Sequence, residues 1–169
     1  MPANNGNHNP EAGSTAAGFS GSARPNQRYW FHILAQGTPA ARNVHAARLA
    51  GKAWQQGDRV CILCDTEQHA TELDDLLWSY SPDAFIPHSL MTDAPPCTAD
   101  RVGIMFFPPA ARDWDTVIVL ASTLPPDADT FKRLALIAHN DPQMLEQARS
   151  HFKQLRALGI EPSVHDQRK

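Results

Sequence analysis

The sequence predicts an α/β domain, an open and mostly parallel sheet flanked by helices, Rossmann-like in type and single in its core. Three observations predict it. Short strand-like runs such as RVCILCD (59–65) and TVIVLA (116–121) alternate with longer amphipathic stretches. Those runs are apolar at nearly every position, as strands covered on both faces are. Two of the stretches between them open on a capping residue followed by proline, Thr38-Pro39 and Asp141-Pro142, which is how helices start.

Residues 1–27 read as a disordered tail. They are rich in Asn, Gly, Ala, Ser and Pro, with Phe19 the only large apolar side chain after Met1, and cannot bury enough surface to offset the entropy of ordering. The domain spans 28–166. Its first strand is YWFHIL (29–34), followed by a helix from Pro39 to Gln56 that stops at Gly57. The second strand ends at Asp65, which reads as the N-cap of the next helix, with Gln68 three residues on as in a capping box. That helix reaches about Tyr80. Ser81-Pro82-Asp83 reads as a turn, and Met91 to Asp100 as a loop. Strands follow at 101–107, 116–121 and 134–138, with a short helix at 127–133 and a last helix from Pro142, closed by Gly159.

Composition limits the function. The chain has 169 residues, 42% hydrophobic and 20% charged, a net charge of −3 and a pI near 6.2. That balance argues against a protein whose whole surface binds nucleic acid, though not against a local basic patch. No apolar run approaches the roughly 18 residues of a membrane span, and no secretory signal pattern opens the chain. Three cysteines fit a reducing cytoplasm better than a disulfide scaffold.

Chemistry is hard to find. The turn after the first strand, AQGTP (35–39), has one glycine and a proline, so it lacks the glycine-rich approach to pyrophosphate, and no GxxxxGK[ST] occurs. The TVIVLA strand ends in Ala121-Ser122, not in carboxylates that would hold magnesium. Cys61 and Cys64 form a C-x-x-C, but on a strand they point to opposite faces, which suits neither a disulfide nor a shared metal. The eight histidines are scattered, with no HExxH and no Cys/His cluster; His88 beside Pro87 is the one singled out, more simply a hydrogen-bonded loop residue than a general base.

Two constellations point to binding. The first is LLWSYSPDAFIPHSL (76–90), which ends a helix on Trp78 and resumes at Phe85 through Pro87 and His88. Pro87 cannot donate to a central ladder, so this piece is an edge. Its aromatics are either ordinary core or a docking surface. The second is the last helix, where Arg149, Lys153 and Arg156 share one face with Phe152 beside them. A cationic face with an aromatic can receive an acidic peptide or a phosphate backbone. The bland reading is a solvated helix surface.

Leu77-Trp78, Phe85-Ile86-Pro87-His88 and Leu90, following RVCILCD and its helix, resemble the chi subunits of bacterial DNA polymerase III, as does the closing pattern Gln147-Ala148-Arg149 through Phe152-Lys153 to Leu158-Gly159. The resemblance runs from about Arg28 to Asp166. It implies a non-catalytic accessory subunit with no cofactor or nucleotide of its own, cytoplasmic at the nucleoid-associated replisome. It implies two partners on two surfaces, the psi subunit of the clamp loader and the acidic C-terminal tail of single-stranded-DNA-binding protein, with indirect contact with DNA. Trp78, Phe85, Pro87 and His88 are then assigned to psi, and Arg149, Phe152, Lys153, Arg156 and Ala138 to the tail. The competing class is a Rossmann-like nucleotide- or nucleic-acid-processing enzyme.

Overall fold

The computed structural model describes residues 27–80, 85–91 and 102–169. The expected tail, apart from Gln27, the turn at 81–83 and the loop at 92–100 lie outside the described residues. Among the described residues seven strands form one sheet in the order β3-β4-β2-β5-β6-β1-β7, and every pairing is parallel. The strands are β1 (Arg28–Ile33), β2 (Val60–Leu63), β3 (His88–Leu90), β4 (Val102–Met105), β5 (Thr116–Val119), β6 (Arg133–Ala138) and β7 (Ser163–Asp166). The helices are α1 (Pro39–Gln55), α2 (Glu67–Ser79) and α3 (Pro142–Ala157).

The continuous apolar runs occupy the middle of this order because both their faces are covered. Every residue of β2, β4 and β5 is buried. One face packs Ile62, Val60, Ile104 and Ile118 against Ala46, Ala47 and Ala50 of α1 and Leu73 and Leu77 of α2. The other packs Phe31, Val117, Leu134 and Leu136 against Leu155 of α3, with Trp114 and Phe131. Cys64 belongs to the first cluster and Cys61 to the second, as a period of two requires.

Two of the three helix caps are those that the sequence predicts. Thr38 Oγ1 accepts from the Ala41 amide at 3.3 Å, and Asp141 Oδ2 from the Met144 amide at 3.0 Å. The third differs. Thr66, not Asp65, caps α2, accepting from the His69 amide at 3.2 Å, and Gln68 turns along the helix to Glu72. The Asp65 carboxylate is used elsewhere, as described below. Residues 127–133 are also not a helix. Asp127 takes φ +54°, a single 3₁₀ turn follows at Ala128–Thr130, and Arg133 already starts β6. Strand β7 was not predicted: SVHD carries one aliphatic residue and runs along an exposed edge.

Candidate functional site

Strand β3 ends the sheet, so Pro87 sits where its missing N–H costs nothing; its carbonyl accepts from the Val102 amide at 2.8 Å. Ile86 anchors this segment. It is 4% exposed and meets α1 at Gly51, where a Cβ would stand 2.7 Å from Ile86 Cδ1. With Ile86 held inward, Phe85 faces out. Trp78, in the last turn of α2, lies against it with ring centroids 5.5 Å apart. Trp78 is 62% exposed and Phe85 59%, so neither is ordinary core.

His88 supports the pair from beneath. Its ring meets Trp78 edge-on at 4.8 Å, and its side chain is wholly covered. Nδ1–H donates to the Ile86 carbonyl at 2.7 Å, which leaves Nε2 facing Asp74 Oδ1 at 3.4 Å. That separation is long for a hydrogen bond, and with the proton on Nδ1 the buried Nε2 is left without a hydrogen-bond partner. The chemistry on offer is an apolar aromatic shelf with a polar underside.

On the opposite face of the sheet, α3 turns Leu155 and His151 inward and Arg149, Lys153 and Arg156 outward. Phe152 lies at the boundary, half-buried, its ring edge-on to Phe31 of β1 at 5.5 Å. Arg149 pairs with Glu146 at 3.1 Å on the same helix. Arg156 reaches Glu161 at 3.5 Å while its guanidinium lies 5.9 Å from the Phe152 ring. These are exposed pairs, each weak enough for a stronger anion to displace. Ala138 is buried at the end of β6 and lines a cavity of about 10 Å³ under α3 together with Phe31, Met144, Ala148 and His151. That volume holds one water at most, so a terminal ring seated there would require Met144 to move.

The C-terminal ends of β2 and β5, where an open α/β sheet takes a nucleotide, are closed by side chains. Asp65 Oδ1 accepts from the Ser122 amide at 2.8 Å and from its hydroxyl at 3.0 Å. His151 Nε2–H donates to the Ser122 carbonyl at 3.0 Å, and Arg42 Nε–H to the Ile137 carbonyl at 2.6 Å. Desolvation brings the Arg42 guanidinium down to about 10 and holds His69, His139 and His151 below their usual range. Burial pushes the Cys64 thiol up to about 12. A buried arginine plugging the strand ends is what sequence reasoning missed; Arg42 in the apolar stripe of α1 was the available signal. Among the described residues no group of three His, Cys, Asp or Glu side chains is arranged to hold a metal, and no helix is long and apolar enough to cross a membrane.

Residues 27–163 match the sequence model of a family described as DNA polymerase III chi subunit, HolC. The chain is 36% identical to the DNA polymerase III subunit chi of Pseudomonas aeruginosa over 136 residues, which covers 80% of this chain and 93% of that one. It is 28% identical to the subunit of that name in Haemophilus influenzae over 138 residues, 76% of this chain and 90% of the relative. Against the Escherichia coli subunit the figure is 26% over 112 residues, 66% of this chain and 76% of the relative.

Proposed function

Because this chain belongs to the DNA polymerase III chi subunit family, an accessory rather than a catalytic part of the polymerase, we propose that it is a two-sided adaptor. One surface takes the psi subunit of the clamp loader. The other takes the acidic C-terminal tail of single-stranded-DNA-binding protein, so that the holoenzyme is coupled to coated template at the nucleoid, in the cytoplasm. What supports this reading is that two exposed patches of different chemistry stand at opposite ends and on opposite faces of one sheet. The aromatic shelf of Trp78 and Phe85 is beside β3 on the α2 face, and the cationic stripe of Arg149, Lys153 and Arg156 is on α3, which reaches β1.

Each patch fits its partner physically. Protein interfaces draw their energy from a few aromatic anchors, and the shelf offers two on a supported base. An acidic tail needs cations for its carboxylates and an apolar wall for its terminal ring, which Arg149, Lys153 and Arg156 and the half-buried Phe152 supply. The experiment is a crossed pair of variants. Trp78→Ala should weaken psi association by about 2 kcal/mol or more with tail binding and folding unchanged, and Arg149→Ala should do the reverse. If Trp78→Ala unfolds the isolated chain, or if each variant weakens both partners, the assignment of the two surfaces fails.

The enzyme reading draws no comparable support. The crevice that would take a nucleotide is filled by the Asp65–Ser122–His151 contacts and Arg42. Purified protein should hydrolyse neither nucleotides nor DNA. ATP or NAD should leave its Tm unmoved, whereas a bound ligand at a hundredfold its Kd would add about 2.7 kcal/mol of stability. A turnover that survives purification and is lost on replacing His88 or Asp65 would restore that reading.

A further inference from the structure

We propose that the groove between α1 and the β6-β1-β7 end of the sheet is a binding site for single-stranded nucleic acid, separate from both adaptor surfaces. Helix α1 packs chiefly on β2, β4, β5 and β6 and touches β1 through His45, whose ring centroid lies 5.0 Å from that of His32, so the β6-β1-β7 end of that face is thinly covered among the described residues. The space left beside α1 is about 960 Å³, in the range of ligand sites. Trp30, His32, Ile118 and Ala135 line the sheet side, and Leu49 and Lys52 the helix side. Arg28, Lys132, Arg133 and His165 also border it.

Charge and shape both select the occupant. Arg28, Lys52 and Lys132 are exposed, and none is in an ion pair within 4.0 Å among the described residues. The groove's carboxylate, Asp58, is already taken: it pairs with Arg133 at 2.8 Å and accepts from the Thr116 hydroxyl at 2.7 Å. Three cations are therefore left to face an anion. Between them lie flat rings. His165 stacks on His32, with centroids 5.1 Å apart and planes 20° from parallel, and Trp30 is half-buried nearby. Burial, reinforced by His45 and His165, lowers His32 to about 4, so at neutral pH that ring, held between His45 and His165, backs the exposed His165 ring and is not a fourth charge. Planar faces bordered by cations suit bases joined by phosphates. An acidic peptide would use the cations and leave the rings unmatched. The net charge of −3 makes this basic groove a local exception on the molecule.

The test is fluorescence anisotropy of a labelled oligothymidylate titrated with the full chain from about 50 to about 300 mM salt. Binding should weaken with a log–log slope of about −2, from three phosphate contacts at about −0.7 each. The pair Lys52→Glu and Lys132→Glu, both exposed side chains, should reduce affinity at least about tenfold at the lower salt. Lys153→Glu, on the other face, should leave it within about twofold, so failure here is distinct from failure of the tail-binding surface. An abasic oligomer of the same length should bind about tenfold more weakly, since stacking adds to charge. A flat titration, as when another segment of this chain fills the groove, overturns the proposal. So does loss of binding with Lys153→Glu instead of the groove pair, and so does equal competition by oligoglutamate at matched charge, which would make it an acidic-peptide site.

Discussion

Arg149 and Cys64 show what single side chains contribute. The guanidinium of Arg149 can hold a carboxylate bidentately, which an ammonium cannot, and its present partner, Glu146, is an exposed neighbour three residues away that offers little resistance. Arg149→Ala is expected to cost about 1.5–3 kcal/mol of tail-peptide affinity, the scale of a charge-assisted hydrogen bond. The thermal midpoint should hardly move. Raising the salt should weaken the wild type more than the variant, because the lost charge is screened; calorimetry at two salt concentrations reads both effects. Cys64 is the opposite case, buried with its thiol pushed up to about 12. Alkylation mapped by mass spectrometry should leave Cys64 unlabelled until the protein unfolds. Labelling of the native chain at neutral pH would contradict the buried placement. The faces of the two strand cysteines were legible from the period of the strand alone. The exposure of Trp78 was not, because a tryptophan at a helix end serves equally in a core or an interface until its surroundings are known.

Whole elements were legible where one local signal dominated. Proline at the first turn with Thr38 or Asp141 before it marked α1 and α3, and Gly57 and Gly159 take the positive φ values of helix stops, +89° and +85°. The reading slipped where two residues competed. Asp65 and Thr66 are adjacent cap formers, and Asp65 was drawn to Ser122, 57 residues away, by a contact that no local pattern records. Strand β7 escaped because its pairing with β1 is all that defines it. Two predictions belong to this scale. In α3, Leu155 is fully buried, so Leu155→Ala should cost about 2–5 kcal/mol of stability, while Lys153→Ala in the same turn should cost almost nothing; urea unfolding distinguishes them. In β4, a Cβ on Gly103 would stand 2.6 Å from the ring of the buried Trp114. Gly103→Ala should therefore destabilise the fold by about 1–3 kcal/mol. An unchanged unfolding midpoint would show that both Met91 and Trp114, the groups this Cβ would meet, have room to move.

Across the whole molecule, the parallel sheet separates the two patches. From β3 to β1 is five strand spacings, about 24 Å, and the aromatic shelf and the cationic stripe are on opposite faces as well. The α/β class and most of the strand set were legible in the sequence. The strand order was not, since it depends on which edges close against each other. Five histidines tie stability to pH. Burial lowers His32, His45, His69, His139 and His151 below their ordinary value. An unfolded chain binds protons at these sites before the folded one does. Their contribution is complete above about pH 6.5 and is lost as pH falls, for His32 down to about 4. Asp115, held low by Arg59, adds its own loss only below the ordinary carboxylate range. Urea midpoints should therefore fall between pH 7.5 and 5; a rise over that interval would contradict the burial of these rings.

Separation of the two surfaces is the central claim, and a calorimetric titration of a synthetic acidic tail peptide, into the chain alone and into its complex with psi, tests it most directly. Two surfaces on opposite faces of a rigid sheet predict one peptide per chain, a micromolar Kd near 8 kcal/mol of binding free energy, and the same Kd whether or not psi is bound. Displacement of psi by the peptide, or loss of peptide binding in the complex, would contradict the account, because it would place both partners on one surface.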